Sequence, residues 1–358
     1  MPERVFSVGE PSPEARVWVS ERFGRVVRLS SPLASPVDLH NLTQGTVIRS
    51  TGKWYQVRTD DGREIVSRIR GRFRLNGMQL TNPVAVGDRV KLTVDDEVED
   101  EIRGMIKEVL PRRNMVVRQS PRKLHSLHLL AANIDQAAVV MTIVAPKLKQ
   151  GFIDRFLLMT EPYEIPTAII FNKADLYDEE AMVLYEYLRT IYTQIDYQVF
   201  LTSSEDQTGI EELRAYLKDK TTLISGQSGV GKSTLINTAS PKLDLRTQEL
   251  SDYSGKGQHT TTFATMYPLD FGGDLIDTPG IKGLSFNNLE PMDVAHNFRE
   301  FFAYSAQCKF GGNCLHRAEP KCAVRAAVEQ GILSDLRYDN YITILEEVEG
   351  QNYWERHS

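Results

Sequence analysis

The sequence predicts three folded domains: a small OB-like β-barrel, a central α/β domain with a doubly wound parallel sheet, and a mostly helical C-terminal domain. Three observations predict this arrangement. Short alternating strands separated by turns fill residues 37–120, apolar strands alternate with helices over residues 121–286, and all three cysteines fall within residues 308–322. Each pattern is typical of a different architecture, so we expect separate domains rather than one large core.

The composition limits the class of protein. The chain has 358 residues, of which 41% are hydrophobic and 25% charged, as in ordinary globular proteins. No apolar stretch approaches the roughly 20 residues of a membrane-spanning helix, and the N-terminus has no secretion signal pattern. Three cysteines are too few for a disulfide framework. We therefore expect a cytoplasmic monomer without membrane contact, and the net charge of −6 argues against wholesale coating of nucleic acid.

The N-terminal part divides into a tail and a barrel. Residues 1–36 contain five prolines among many serines without a sustained period, so we expect a flexible tail. The strands of residues 37–120 fit a small closed barrel, either OB-like or SH3-like, and we assign the OB-like type.

One predicted barrel strand carries alternating arginines. Arg68, Arg70, Arg72 and Arg74 alternate with other residues, so all four guanidinium groups project from one face. The segment 37–120 has 15 Lys and Arg against 12 Asp and Glu, a local excess of positive charge. Small barrels bind RNA through one strand face and its loops. The pattern is equally compatible with an RNA-binding face and with a merely solvated one.

The central domain is predicted from an alternation of strands and helices. A nearly continuous apolar run at residues 136–144 is typical of a buried parallel strand. Further strands are predicted at residues 167–171, 198–202, 221–225 and 274–276, and helices at residues 152–160, 179–192, 210–218 and 232–238. This alternation indicates a doubly wound sheet.

A glycine-rich loop follows the strand predicted at residues 221–225. It matches G-x-x-x-x-G-K-[ST] in full, and the residues assigned to nucleotide binding are Gly226, Gln227, Ser228, Gly229, Val230, Gly231, Lys232, Ser233 and Thr234. The glycines let several backbone N–H groups point at one phosphate chain, and the following helix adds its positive N-terminal end. We expect Lys232 to reach the β- and γ-phosphates and Ser233 to bind Mg²⁺. The alternative, a glycine-rich turn of no chemical use, is disfavoured by the strand before the loop and the helix after it.

A second motif indicates which nucleotide is bound. Asn172, Lys173 and Asp175 form N-K-x-D directly after a predicted strand. A carboxylate accepts the two N–H donors of guanine, while Asn172 can serve the other side of the base, and adenine has no such donor pair. Alone, the motif also fits a polar turn; beside a phosphate loop it favours GTP. Ser203 and Ser204 are assigned as a third base contact, with a serine helix cap as a nearly equal alternative.

Two short motifs supply the remaining residues of the site. The sequence D-T-P-G at residues 277–280 predicts that Asp277 holds Mg²⁺ through water and that the Gly280 N–H contacts the γ-phosphate. The polar segment 257–262 is suited to a switch, in which Thr261 completes the Mg²⁺ shell. A surface turn is the alternative for either motif taken singly.

The water that would attack the γ-phosphate needs a polar group to orient it. In Ras-like enzymes a glutamine just after D-x-x-G orients this water, but Ile281 stands there and cannot hydrogen-bond. We therefore expect slow intrinsic hydrolysis, with His259 positioning the water. A histidine that only packs against or caps its loop is the alternative. The residues assigned to catalysis are His259, Lys232, Thr261 and Gly280.

The order of the motifs indicates a circular permutation. In Ras-like GTPases the phosphate loop comes first and the guanine motif later. Here residues 172–175 precede residues 226–233. A circularly permuted domain keeps the same three-dimensional site with its termini moved elsewhere. The fold class predicted for residues 121–286 is therefore a circularly permuted P-loop GTPase domain.

The C-terminal domain, residues 287–358, is predicted to surround a metal site. Cys308, Cys314, His316 and Cys322 follow the spacing C-x5-C-x-H-x5-C, a Cys₃His set typical of closed structural zinc sites. Inert buried thiols would not be expected to cluster in this way. Four protein ligands leave no position for water, so we expect one structural Zn²⁺.

These parts in this order resemble the ribosome small-subunit-dependent GTPase A family (RsgA, also called YjeQ). The resemblance covers residues 37–345 and rests on N-K-A-D, G-Q-S-G-V-G-K-S, G-K-G-Q-H-T-T-T, D-T-P-G and the cysteine spacing together. It implies a bacterial GTPase, stimulated by the small ribosomal subunit, that acts in late maturation, grips rRNA through its barrel and zinc domain, and leaves on hydrolysis. It points to the same His259. The tail and an acidic loop at residues 95–101 have no counterpart in it.

Two functions of different classes remain open. The first is a GTP hydrolase that acts on the small subunit, and the second is an RNA-binding scaffold that senses guanine nucleotide with negligible hydrolysis. The intact Lys232, Ser233, Asp277 and Gly280 favour the first. Asp175 disfavours a kinase or ATPase. The expected cofactors are one Zn²⁺ and the Mg²⁺ that accompanies GTP, and the expected partners are the small subunit, its rRNA, GTP and GDP.

Overall fold

The three predicted domains are present in the computed structural model, which describes residues 29–30, 42–52, 54–69, 74–75, 82–94, 103–119, 127–243, 245, 264–278 and 289–357. These residues form a five-stranded barrel, a mostly parallel sheet with helices on both faces, and a helical C-terminal unit. The fold class predicted from the sequence is therefore confirmed.

The barrel strands follow the OB-like order. They are β1 (Thr43–Ser50), β2 (Tyr55–Thr59), β3 (Glu64–Ile69), β4 (Arg89–Val94) and β5 (Arg103–Val109). Their order is β1-β2-β3-β5-β4, and β4 pairs with β1 to close the barrel. β3 and β5 are parallel, whereas the other pairs are antiparallel. Val57, Ile65 and Leu92 fill the interior.

Only part of the predicted arginine strand is described. Arg68 lies near the end of β3 and is exposed. Arg74 belongs to a two-residue strand, Arg74–Leu75, that pairs with Leu29–Ser30. Arg70 and Arg72 lie outside the described residues, as do the acidic loop 95–101 and most of the tail.

A hairpin absent from the sequence prediction lies between the barrel and the central sheet. Its strands, β6 (Met115–Gln119) and β7 (Leu127–Ala132), pair antiparallel on either side of residue 120, where the barrel domain was expected to end. Gly87, with a φ of 89°, lies so close to the hairpin that a Cβ would stand 2.0 Å from the Ala132 carbonyl oxygen. Only glycine fits this contact.

The central sheet is mostly parallel, as predicted. Its strands are β8 (Gln136–Met141), β9 (Thr167–Asn172), β10 (Gln198–Thr202), β11 (Thr221–Gly226), β12 (Thr265–Pro268) and β13 (Asp274–Asp277). The order is β10-β9-β8-β11-β13-β12, and β12 is the antiparallel member.

Helices cover both faces of this sheet. α1 (Gly151–Thr160) and α2 (Glu179–Thr193) pack on one face, and α3 (Ile210–Leu217) and α4 (Lys232–Ala239) on the other. Successive residues of β8 serve the two cores, with Val139 in the first and Val140 in the second. Both faces are buried, which explains the continuous apolar run in the sequence.

The barrel and the central sheet are joined directly. β12 pairs with β1 at Thr265 and Arg49, so the strands form one continuous sheet of eleven. Arg58 of β2 adds hydrogen bonds of 2.8 and 2.9 Å to the Asp274 carboxylate of β13.

The C-terminal unit packs against α1 and α2. It contains α5 (Pro291–His296), α6 (Arg299–Ser305), α7 (Ala323–Glu329) and α8 (Asp335–His357). Phe298, Phe301 and Tyr341 contact one another with ring centroids 5.1 to 5.3 Å apart, in the same core cluster as α1 and α2. Across the described ranges, no helix combines the length and apolar character needed to cross a membrane.

A buried polar network fixes this unit to the central domain. Arg337 of α8 is 2% exposed and donates to Asp154 of α1 at 2.5 Å and to Glu300 of α6 at 2.7 and 2.9 Å. Asp154 also accepts from the hydroxyl of Tyr192 at 2.8 Å and from the Asn340 amide at 2.6 Å. Buried charges persist only when they are paired and hydrogen-bonded, so the members of this network depend on one another.

We expect the substitution Arg337→Leu to lower the free energy of unfolding by about 3–5 kcal/mol, because it leaves two carboxylates buried without a cation. Urea unfolding measures this change. The control Arg189→Leu removes an exposed ion pair with Glu186 within α2 and should cost less than about 0.5 kcal/mol. Equal costs for the two variants would contradict the role given to the network.

Candidate functional site

The phosphate loop joins β11 to α4 and depends on its glycines. Gly229 and Gly231 have φ angles of 86° and 84°, in the region that favours glycine. A Cβ on Gly231 would lie 2.7 Å from the Asn172 side-chain nitrogen. Val230 is buried, whereas Ser228 and Gly229 are exposed at the tip of the loop. The loop therefore wraps closely against the end of β9 with its tip open to a ligand.

Asn172 connects the phosphate loop to two neighbouring strand ends. Its Nδ2 donates to the Val230 carbonyl at 2.9 Å, and its Oδ1 accepts from the Thr202 hydroxyl at 3.0 Å. The residue is 2% exposed. Both ends of the amide, expected from the sequence to serve the base, have partners within the protein. In the structure this side chain therefore links the phosphate loop to the ends of β9 and β10. We call this pair of hydrogen bonds the Asn172 brace.

The other members of the guanine motif lie at the same edge. The Lys173 ammonium donates to the carbonyl oxygens of Ala145 and Gly229, both at 2.7 Å. Asp175 is exposed, and its Oδ1 accepts from the Ser203 hydroxyl at 2.7 Å. The structure thus brings together residues 172–175, Ser203 and the phosphate loop, although their order in the chain is reversed relative to Ras-like proteins.

The Ser204 hydroxyl is buried and has no hydrogen-bond partner among the described protein atoms. It follows Ser203, whose own hydroxyl holds Asp175. Ser204 therefore lies beside the guanine motif, as the sequence predicts, with its hydroxyl buried.

The other end of the site carries a charge pair. The Lys232 ammonium donates to the Asp277 carboxylate, and each side chain is only 10% exposed. Lys232 begins α4 and Asp277 ends β13, which neighbours β11 in the sheet. Ser233 and Thr234 are partly buried in the first turn of α4. The ends of adjacent parallel strands therefore place a cation and a carboxylate beside the phosphate loop.

The remaining residues predicted for catalysis lie outside the described residues. They are His259, Thr261 and Gly280, and Ile281 also falls there.

The four predicted zinc ligands converge in the C-terminal unit. All are buried, and their ligand atoms lie within 4.8 Å of one another. The Cys308 and Cys322 sulfurs are 4.0 Å apart and lie 3.7 and 3.5 Å from Nδ1 of His316. Tetrahedral Zn²⁺ requires roughly 3.8 Å between sulfurs and roughly 3.5 Å between sulfur and nitrogen, given its usual bond lengths. The donor set and its spacing therefore fit zinc.

The environment of these ligands also suits a cation. Burial raises the pKa of the Cys314 thiol to about 12, raises that of Cys322, and lowers the pKa of His316 to about 4. The imidazole is thus neutral and able to ligate, whereas thiols buried in this way lose their protons only to a metal. The backbone N–H groups of Ala323 and Arg325 donate to the Cys308 and Cys322 sulfurs, at 3.2 and 3.5 Å respectively.

The loop that carries His316 is anchored to α8. The hydroxyl groups of Tyr338 and Tyr341 donate to the carbonyl oxygens of His316 and Leu315, at 2.6 and 2.7 Å. The Glu319 carboxylate accepts two backbone N–H groups of the same loop at 2.7 Å. A metal held by this loop would therefore stabilise α8 as well.

We expect Cys314→Ser to abolish retention of one equivalent of zinc and to expose residues 306–325 to amide exchange, because a Cys₃His site tolerates no lost ligand in so small a unit. Metal analysis together with hydrogen exchange provides the measurement. Asn313→Ser is the matched control, since it changes the neighbouring residue of the same turn without removing a ligand. Unchanged zinc content in Cys314→Ser would show that the cluster is not the metal site.

The fold and the site define a P-loop nucleotide-binding protein of the circularly permuted GTPase class. The family model described as RsgA GTPase matches residues 109–287, and the one described as RsgA N-terminal domain matches residues 44–102. The protein named small ribosomal subunit biogenesis GTPase RsgA in Bacteroides fragilis is 47% identical over 310 residues, covering 87% of this chain and 98% of its own. Its namesake in Flavobacterium psychrophilum is 45% identical over 302 residues, covering 84% and 92%. The chain belongs to the RsgA GTPase family.

Solved structures agree with this assignment. The crystal structure of YjeQ from Thermotoga maritima is 36% identical with a TM-score of 0.68, and the match covers 86% of this chain and 99% of that one. The structure of YloQ, described as a circularly permuted GTPase, is 30% identical with a TM-score of 0.64 and covers 89% and 99%. The permutation predicted from the motif order is confirmed.

Proposed function

We propose that this GTPase acts in the late maturation of the small ribosomal subunit in the cytoplasm, binds its rRNA, and dissociates when GTP is hydrolysed. The observation that carries the proposal is the Asn172 brace, which assembles a phosphate loop and a guanine motif into one pocket in a chain of the RsgA family. The relatives named small ribosomal subunit biogenesis GTPase supply the target.

Nucleotide binding would break the ion pair between Lys232 and Asp277 and give each side chain a new partner. Lys232 and Asp277 are paired with each other and nearly buried. A nucleoside triphosphate offers phosphate oxygens to the lysine, and the hydroxyl and carboxylate oxygens of Ser233 and Asp277 are the donor type that Mg²⁺ prefers. With Thr261 they form the proposed Mg²⁺ set. The ion, when bound, neutralises charge on the β- and γ-phosphates.

Hydrolysis is assigned to Lys232 of the phosphate loop and to residues that follow that loop in the chain. Lys232 holds the phosphates, the Gly280 N–H contacts the γ-phosphate, and His259 positions the attacking water. This assignment of His259 rests on the sequence, where Ile281 replaces the polar residue that Ras-like enzymes use.

Two surfaces support contact with RNA. On the barrel, the guanidinium of Arg68 stacks 3.6 Å from the ring centre of Trp54. Beside the zinc ligands, the ammonium of Lys309 lies 5.2 Å from the ring centre of Phe310, which is 44% exposed. Aromatic rings beside cations bind unpaired bases and their phosphates. We infer that the barrel and the zinc unit both grip rRNA.

We expect Asp175→Asn to weaken GTP binding roughly hundredfold or more, because an amide cannot accept both guanine N–H donors and leaves them unpaired. Binding of xanthosine triphosphate should improve, since its C2 carbonyl can accept from the new amide. Calorimetric titration with both nucleotides gives the comparison. Asp178→Asn is the control, because Asp178 caps α2 and either side chain can accept from the Ala181 N–H. Unaltered preference for GTP in Asp175→Asn would remove Asp175 from base recognition.

The central experiment measures GTP turnover against increasing amounts of purified small subunit. The wild type should be slow alone and strongly stimulated, because another partner must complete the site that Ile281 leaves apolar. His259→Ala should lose roughly 10²-fold or more of the stimulated kcat with little change in nucleotide affinity, as expected for a residue that positions water. Binding to the subunit without any stimulated turnover would favour the nucleotide-sensing scaffold instead. Full retention of kcat in His259→Ala would assign the water to another group.

A further inference from the structure

The solvent side of α2 carries an unusual group of apolar side chains. Val183, Leu184 and Tyr187 are 68%, 38% and 47% exposed. Val183 and Leu184 lie four and three residues before Tyr187, so both side chains are neighbours of Tyr187 on the helix surface. We call this group the α2 face. It holds three of the seven large apolar side chains exposed in the part of the chain that the structure describes.

The fold of the central domain does not require the α2 face. The opposite side of the helix packs on the sheet through Ala181, Tyr185, Leu188, Ile191 and Tyr192, all of them buried. Single exposed apolar residues are common on protein surfaces, whereas a contiguous group indicates a contact with another molecule.

The surroundings of the α2 face are acidic. The exposed carboxylates near it in sequence or space belong to Asp178, Glu179, Glu180, Glu186 and Asp335. The start of α8 belongs to this surface because the Tyr187 hydroxyl donates to Asp335 at 3.5 Å. The one exposed cation of α2, Arg189, is paired with Glu186 at 3.0 Å. The electrostatic potential here is therefore negative, opposite to that expected beside Arg68 and Lys309.

The negative charge around the α2 face limits the kind of molecule that can bind there. Carboxylates repel RNA phosphates, so rRNA is disfavoured at the α2 face. A second copy of the chain is also disfavoured, because a symmetric contact would place acidic rims against each other. A protein segment rich in lysine and arginine with an apolar anchor complements both the rim and the apolar centre.

We propose that the α2 face docks such a basic protein segment, presented by the small ribosomal subunit. This inference rests on the function proposed above and adds a protein contact, on the acidic side of the molecule, to its RNA contacts. The apolar anchor of the partner covers Val183 and Tyr187, and its cations lie against the carboxylates around them.

A photo-crosslinking experiment tests the contact. The variant Tyr187→p-benzoylphenylalanine is irradiated with purified small subunits and a non-hydrolysable GTP analogue. We expect an adduct with a basic ribosomal protein, sensitive to protease and resistant to ribonuclease. The control, Glu212→p-benzoylphenylalanine, places the same group on exposed α3, on the other face of the sheet, and should give no such adduct. An adduct with rRNA, an adduct with a second copy, or no adduct would each overturn the proposal.

An affinity measurement gives a second readout. The double variant Val183→Gln, Tyr187→Gln should bind small subunits about fivefold to tenfold more weakly, as for central contact residues. Its turnover without subunits should equal that of the wild type, since both positions are exposed and outside the nucleotide pocket. Thr193→Gln, at the far end of the same helix and six residues from Tyr187, is the control and should leave the affinity unchanged. If the double variant and the wild type bound small subunits with equal affinity, the proposed contact at the α2 face would be overturned.

Co-sedimentation separates this inference from the function on which it rests. A wild-type chain that does not sediment with small subunits refutes both. If the wild-type chain sediments with small subunits but position 187 gives no protein adduct, only the proposed contact at the α2 face is refuted.

Discussion

The buried amide of Asn172 holds the nucleotide pocket together. Its two hydrogen bonds connect the end of β9 to the Val230 carbonyl on one side and to the Thr202 hydroxyl on the other. β8, β9, β10 and β11 are parallel neighbours, so their carboxyl ends lie at one edge whatever their order along the chain. Permutation changes the connections between these strands and leaves the brace intact. The positions of Asp175 and of the phosphate loop both depend on it.

The C-terminal unit depends on a comparable constraint. Its core contains both the three cysteines and the aromatic residues that face α1 and α2. Arg337 forms ion pairs with both Asp154 and Glu300 in the same interface. The Cys₃His cluster includes His316 itself, and the tyrosines of α8 hold the His316 loop from the other side. The Cys₃His cluster and the domain interface are therefore parts of one packed structure.

Much of the fold could be predicted because its signals are local. The apolar run of β8 indicates a strand buried on both faces, and the glycine spacing of residues 226–233 indicates its loop directly. The four zinc ligands lie within 15 residues, so their spacing alone indicates the site. Each of these features is encoded by residues that are close together in the chain.

Features that depend on distant residues escaped prediction. Arg337 is separated from Asp154 by 183 positions, and nothing near either residue indicates the pair. Both ends of the Asn172 amide are hydrogen-bonded because of where β10 and the loop after β11 lie in the fold. The four-residue motif does not encode those positions. The hairpin of β6 and β7 was missed although Ser120-Pro121 between its strands is a turn signal, because the barrel domain was expected to end at residue 120. The exposure of Val183 and Tyr187 likewise becomes visible only once the buried side of α2 is known.

The continuous sheet has a mechanical consequence. The barrel is attached at β12, near one margin of the sheet, and the C-terminal helices around the Cys₃His cluster pack on α1 and α2, which flank the strands toward the other margin. Within the described ranges, hydrogen-bonded strands lie between these modules, and the segment that joins the central sheet to the C-terminal unit, residues 279–288, lies outside those ranges. Because these strands and helices lie between the barrel and the C-terminal unit, a surface that binds both must present its two contact points at a matching distance.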